Sequence, residues 1–456
     1  MRRRKADLAR RVNAPLALDF TADQLTSYAG LEIVGQYLQR LDFSRRLRRH
    51  PGPLELRGDF PVVSIVRLLL AMLLAGARRL RHVGYLDGDP VVERFCGLKT
   101  LPADRTLSRW LSQCTAPVRA ALRSLQVELL GLTLGELRLP RLTIDVDGTV
   151  LSTGLTVERA RRGYNPHHRK VPSYFPITAH LAQTGHVIGL KNRAGNVNDG
   201  KTALPFLRDV FADLQEISPG SKLEIRMDGA FFRRDLLVWL DSRAEYAIKA
   251  PFYQWLGLKD LVQKRQRWRR VAEDLDGFEV VLPIEAWGIE RRVAIYRKKV
   301  WHKSPKNYQL DLFDPDDGHY EYSAVVTNKT VGVSALWDFM AGRGAHEKVL
   351  SELKGAYAFD AIPTHDYAAN STWQILSVMA HNLMVSFQIE AGATRRRPTA
   401  KRSPLFELRR MATMRFEWIC RAGLVQRPRG RATLRMARSL PARRTVERLV
   451  RALQAA

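Results

Sequence analysis

Apolar residues recur three and four positions apart through LTSYAGLEIVGQYLQRL, and SIVRLLLAMLLAGARRLRHVGYL continues the period. That spacing lays one face of a helix against a core. Residues 1–135 are therefore predicted to be helical. From about residue 140 the period shortens toward two, the mark of strands. RLTIDVDGTV reads as the first strand, YFPITAHLAQTGHVIGLKNRAG as a hairpin turning at Thr184 and Gly185, TALPFLRDVFADLQEI as a helix, and SKLEIRMDGAFF and AEYAIKAP as two more strands. Strand, hairpin, helix, strand is the beginning of a mixed α/β sheet. GFEVVLPIEAW, RRVAIYRKKV and EYSAVVTNK then form a β-rich block, after which helical spacing returns in EKVLSELKGAYAF and STWQILSVMAHNLMVSFQIEAG. The predicted organisation is a helical region 1–135, an α/β core in two halves, 136–251 and 334–392, a β-rich insertion 252–333 between them, and a C-terminal region 393–456.

Within the helical region, GLKTLPADRTLSRWLSQ places Pro102 and Asp104 where a turn and a helix N-cap are needed. Arg105, Ser108 and Arg109 would then project from the first turns. Such a helix resembles the recognition helix of a helix-turn-helix, whose N-terminal residues meet DNA. A capped surface helix with two arginines is the plainer reading.

Charge changes the picture. Against 46 Asp and Glu stand 74 Lys and Arg, a formal net charge of +28 over 456 residues. An excess of that size favours a polyanionic partner, nucleic acid before an acidic membrane surface. The longest apolar run, 61–77, is split by Arg67 and is too short to span a bilayer, so no membrane partner is expected. The basic start MRRRKADLARR is not followed by an apolar core, so nothing directs the chain out of the cytoplasm. Cys96, Cys114 and Cys420 are far apart and odd in number, which suits reduced thiols. Residues 395–456 carry 18 Lys and Arg against 3 Asp and Glu, with apolar residues interspersed. A folded, phosphate-binding segment accounts for that mixture better than a solvated tail.

Asp145 and Asp147 share one face of the first strand while Ile144 and Val146 take the other. Buried carboxylates need an Arg or Lys partner, a solvated strand end or a metal. Asp228 ends a second apolar strand and, like Asp147, precedes a glycine. Glu347 opens a helix after the β-rich block. Two Asp at strand ends and one Glu on a later helix supply the hard oxygen ligands of a two-metal phosphoryl-transfer site. Glu347 and Lys354 lie two turns apart on one helical face, and Gly342 and Gly344 keep Arg343 just before the helix. His167 and His168 have no partner at metal-ligand spacing and read as phosphate contacts or surface.

MAGRGAHEKVLSELK holds Arg343, Glu347 and Lys354 at the spacings Arg, three residues, Glu, six residues, Lys. Together with DVDGTV, MDGAFF, GYLDGDPVVERFCGLK and LKNRAGNVNDG, that stretch resembles the DDE transposases of bacterial insertion sequences, group 1. Met340 stands where that motif has a Tyr. The resemblance implies an α/β fold with a ribonuclease-H-like mixed sheet interrupted by the insertion, a helical N-terminal DNA-binding region and a basic tail. It implies catalysis by Asp147, Asp228 and Glu347, which would hold two Mg²⁺ or Mn²⁺ ions; Asp145 is a further ligand candidate or supports the others. Arg343, Lys354, Arg105 and Arg109 would contact DNA. The implied partners are the element's terminal inverted repeats and target DNA, held by a homodimer associated with the nucleoid. An aromatic of the insertion, from Trp255, Trp268, Trp287 and Trp301, would stack a flipped base. A DNA-binding regulator that has lost catalysis and a nuclease without joining activity are the alternatives.

Overall fold

The computed structural model describes residues 14, 16–50, 56–154, 156–165, 168, 170–300, 320–397, 399–401, 403–438 and 441–455. Its centre is a nine-stranded mixed sheet. In chain order the strands are β1 (Arg141–Gly148), β2 (Ile177–Leu181), β3 (Val187–Lys191), β4 (Lys222–Met227), β5 (Glu245–Ala250), β6 (Arg269–Ala272), β7 (Leu275–Ile284), β8 (Ile289–Lys299) and β9 (Tyr320–Thr327). In space they run β3-β2-β1-β4-β5-β9-β8-β7-β6. β1 and β4, and β4 and β5, pair in parallel; every other neighbour is antiparallel. The β2–β3 hairpin turns where Gly185 takes a φ of 79°, a left-handed conformation that suits glycine.

Ahead of the sheet lie α1 (Leu31–Arg40), α2 (Phe43–Arg49), α3 (Val62–Ala75), α4 (Pro90–Cys96), α5 (Asp104–Ser112) and α6 (Ala116–Leu137). α7 (Asp199–Ile217), α8 (Arg234–Asp241) and α9 (Leu258–Lys264) connect strands; α10 (Val333–Ala341), α11 (Gly344–Tyr357) and α12 (Tyr367–Glu390) follow β9, and α13 (Arg443–Ala455) comes last. The apolar stretch around Arg67 is α3, a buried helix. None of the helices among the described residues is long and apolar enough to cross a membrane.

The alternation of β1 divides its two faces between different partners. Ile144 and Val146 pack with Phe206, Leu207 and Val210 of α7 and Leu236, Leu237 and Leu240 of α8. Asp145 and Asp147 point to the other face, where α10 packs through Leu336, Phe339 and Met340 and α11 through Leu350 and Leu353. The stretch bearing Arg343 and Glu347 is thereby delivered over the acidic face. Met340, at the position of the motif's Tyr, is buried in this packing.

The β-rich block continues the same sheet: β9 pairs with β5 from Ala324↔Ala250 to Thr327↔Ala247, and Phe278, Val293, Ile295 and Val326 share the apolar core of α7 and α8. The helical region and the C-terminal region also share a core, since α12 packs with residues of α1 to α6 and with Met411, Met414, Trp418 and Leu449. A small sheet joins Leu25–Thr26 to Gly423–Gln426 and Thr433–Met436.

One boundary shifts by a residue. Ala103, extended at φ −62° and ψ 157°, occupies the N-cap of α5, and Asp104 is its first helical residue. The Asp104 carboxylate accepts from the next amide, Arg105 N, at 2.7 Å.

Candidate active site

Asp147 lies at the C-terminal end of β1, and Asp228 follows the C-terminal end of the parallel neighbour β4. Strand ends are where backbone pairing stops and side chains become available. Asp228 Oδ1 accepts from Ala230 N at 3.0 Å, capping the short turn Gly229–Phe231. Its other oxygen faces Asp147 across one guanidinium. Arg343 Nη2 lies 2.7 Å from Asp147 Oδ2 and 3.9 Å from Asp228 Oδ2. A single cationic nitrogen therefore bridges two carboxylates on adjacent strands, and Arg343 Nε, also buried, has no hydrogen-bond partner among the described residues.

The choice among an Arg partner, a solvated end and a metal has a separate answer for each β1 carboxylate. Asp145 is wholly buried, and both its oxygens accept from Arg226, at 2.5 Å from Nε and 2.7 Å from Nη2. Its lone pairs are directed at Arg226 rather than toward Asp228. Asp147 is only partly buried and shares Arg343 with Asp228. Burial pushes its carboxyl up to about 7; Arg343 opposes the rise, and Asp228 and Asp199 add to it. The desolvation of Asp147 outweighs its counter-ion.

Glu347 lies one turn beyond Arg343 on α11 and is exposed. Among the described residues no three His, Cys, Asp or Glu side chains are grouped so that they could hold a metal ion, so the structure brings Asp147 and Asp228 together and leaves Glu347 on the adjoining turn. Two carboxylates facing one positive charge are a donor set that suits a hard divalent cation. Lys354, two turns beyond Glu347, donates to the carbonyl of Val150, just past β1, at 3.2 Å. Burial lowers its pKa, with Asp360 opposing.

Sequence reasoning passed over Asp199 and Arg193, although both lie in LKNRAGNVNDG. Asp199 opens α7 and is tied by Arg193 Nη2 at 2.5 Å. A Cβ on Gly148 would collide with Asp199 Oδ1 and fall 2.7 Å from Phe175 Cζ, so the glycine after Asp147 makes room for a further carboxylate. Burial raises the pKa of Asp199, Arg193 opposes and Asp228 contributes to the rise. An unassigned Asp beside an Arg in a Gly- and Asn-rich loop was the only available signal.

The other candidates lie away from this point. Arg105 and Arg109 are exposed on α5, whose inner face buries Leu107, Trp110 and Leu111. Trp268 packs edge-on to Phe278 at 4.8 Å. Trp287 sits 4.8 Å from Phe232, four residues after Asp228, and 5.4 Å from Trp255. Trp255 is 49% exposed and stacked on Tyr253. His168 donates its backbone N–H to Asn165; His167 and Trp301 lie outside the described residues.

The family model for the transposase DDE domain, group 1, matches residues 9–456. No curated protein matches the chain. A solved structure similar to it is a piggyBac transposase synaptic complex with hairpin DNA, 11% identical, covering 78% of this chain and 69% of that one at a TM-score of 0.44.

Proposed function

The chain belongs to the transposase DDE domain group 1 family, and from that premise we propose that it binds the terminal inverted repeats of its own element, cleaves there and joins the ends to target DNA. The observation that carries this reading is the approach of Asp147 and Asp228 to one Arg343 nitrogen. The strand order β3-β2-β1-β4-β5, with β1, β4 and β5 parallel, supports a ribonuclease-H-like core.

Asp147 and Asp228 would hold Mg²⁺ or Mn²⁺, with Glu347 as the third carboxylate. A pair of ions held there would supply activation of the attacking water or 3′-hydroxyl and stabilisation of the leaving oxygen. Asp145 keeps Arg226 in place behind them. Arg343 faces both carboxylates in the free protein, and its guanidinium would be free to grip a DNA phosphate were cations held there instead. Lys354 contacts the same backbone further along α11. Arg105 and Arg109 grip DNA from the helical region, and the arginine-rich C-terminal region adds phosphate contacts. Among the described tryptophans of the insertion, Trp255 is the best exposed to stack a base. Two copies work on paired ends.

The test is cleavage of end DNA in Mg²⁺. Glu347→Gln is expected to abolish cleavage and leave DNA binding intact; retained cleavage would remove Glu347 from the site.

A further inference from the structure

Beneath the acidic pair lies a line of buried polar side chains that the proposed chemistry does not use. Thr178 and His180 on β2 stand opposite Asp147 and Asp145 of β1. His346, between Arg343 and Glu347 in the first turn of α11, points down onto them. All three are essentially inaccessible to solvent.

Their contacts form a directed chain. Thr178 Oγ1 donates to the main-chain carbonyl of Asp147 at 3.3 Å. Its hydroxyl proton being used there, the 3.1 Å contact with His346 Nε2 has the imidazole N–H donating to Oγ1. Two ring nitrogens in hydrogen-bond contact share one proton, so His346, whose own proton is on Nε2, presents a lone pair at Nδ1. It accepts from His180 Nδ1, 2.7 Å away. His180 Nε2 is then an acceptor without a donor among the described residues. The tautomers follow from the network as a whole. A second anchor holds the preceding helix: Arg226 Nη1 donates to the carbonyl of Phe339 in α10 at 2.7 Å.

We propose that Thr178 and His346 are positioning residues: their hydrogen bonds fasten the first turn of α11 to the end of β1, setting Arg343 and Glu347 against Asp147. The proposal rests on the assignment of Asp147 and Glu347 to one reacting centre. Apolar side chains would fill the same space but would leave the helix free to slide or rotate, because dispersion contacts carry no direction. Placement matters here because a shift of about 1 Å at a reacting centre can cost on the order of a hundredfold in rate.

The experiment compares Thr178→Val, which keeps shape and removes the hydroxyl, with Thr178→Ser, which restores it, and with His346→Leu. Three quantities are measured on the full chain: single-turnover cleavage of end DNA in Mg²⁺, affinity for that DNA, and amide exchange across residues 343–350. For Thr178→Val the expected result is a rate lowered roughly tenfold or more, unchanged DNA affinity and exchange about fivefold faster in that segment. Thr178→Ser returns both to the wild-type values. The Thr178→Val/His346→Leu double variant should be no worse than the poorer single one, as expected of two groups in one hydrogen-bonded unit. Wild-type rate and exchange in Thr178→Val would overturn the proposal; so would losses that follow global unfolding and are not rescued by Ser. If Glu347→Gln cleaves like the wild type, the site assignment falls instead, and amide exchange alone then decides whether the bridge fastens the helix.

Discussion

At Asp147 two forces of opposite sign meet, and burial wins over the Arg343 counter-ion to leave the carboxyl near 7 in place of 3.8. The sign of the consequence is fixed. A folded pKa above the ordinary value contributes stability that is full below about 4 and is lost as pH rises through about 7. Cation binding needs the ionised form, so it gains as the proton leaves. Mn²⁺ affinity of the free protein, measured by calorimetry between pH 6 and 8, is expected to rise about tenfold per unit below pH 7 and to level off above it; a flat profile would remove Asp147 from the ligands. Asp145 differs because its compensation is complete. Removing its partner by Arg226→Ala leaves a charge with no access to water, expected to cost about 3–5 kcal/mol in urea unfolding. The acidic face was legible from alternation alone, because a strand has period two. Which cation faces which Asp was not: Arg226 is 81 residues from Asp145 and Arg343 is 196 from Asp147, and no local pattern carries such pairings.

Among the elements, α5 shows how a short helix divides its labour. Leu107, Trp110 and Leu111 hold it to the core, and Arg105 and Arg109, one turn apart, remain exposed. The double substitution Arg105→Ala/Arg109→Ala is expected to weaken binding to end DNA and to reduce the slope of log affinity against log salt by about 2, one for each phosphate left without its arginine. An unchanged slope in a salt titration would assign the helix a structural task only. Its existence was legible from the turn and capping residues Pro102 and Asp104, and its cap was displaced by a residue because Ala103 supplies the extended conformation itself. Three strands of the β-rich block, β7, β8 and β9, were equally legible, unlike the four-residue β6, Arg269–Ala272. Their destination was not, since period and composition identify a strand without naming its neighbour, and only the pairing of β9 with β5 shows that the block widens one sheet. Asp199 escaped for a similar reason: its proximity to Gly148 depends on where α7 begins in space.

For the molecule as a whole, the charge of +28 and membership of a transposase family both suit the proposed DNA partner, and α12, the N-terminal helices and the C-terminal region share one core. That core could not be read from helical patterns, because an apolar face does not declare what covers it. Asp147, Asp228 and Glu347 are proposed to serve one pair of cations once DNA engages Arg343. Counting Mn²⁺ bound to the complex with end DNA, by electron paramagnetic resonance of the free ion, tests it most directly. Two ions are expected for the wild type and the loss of at least one in each of Asp147→Asn, Asp228→Asn and Glu347→Gln; two ions retained by the Glu347→Gln complex would take Glu347 out of the site.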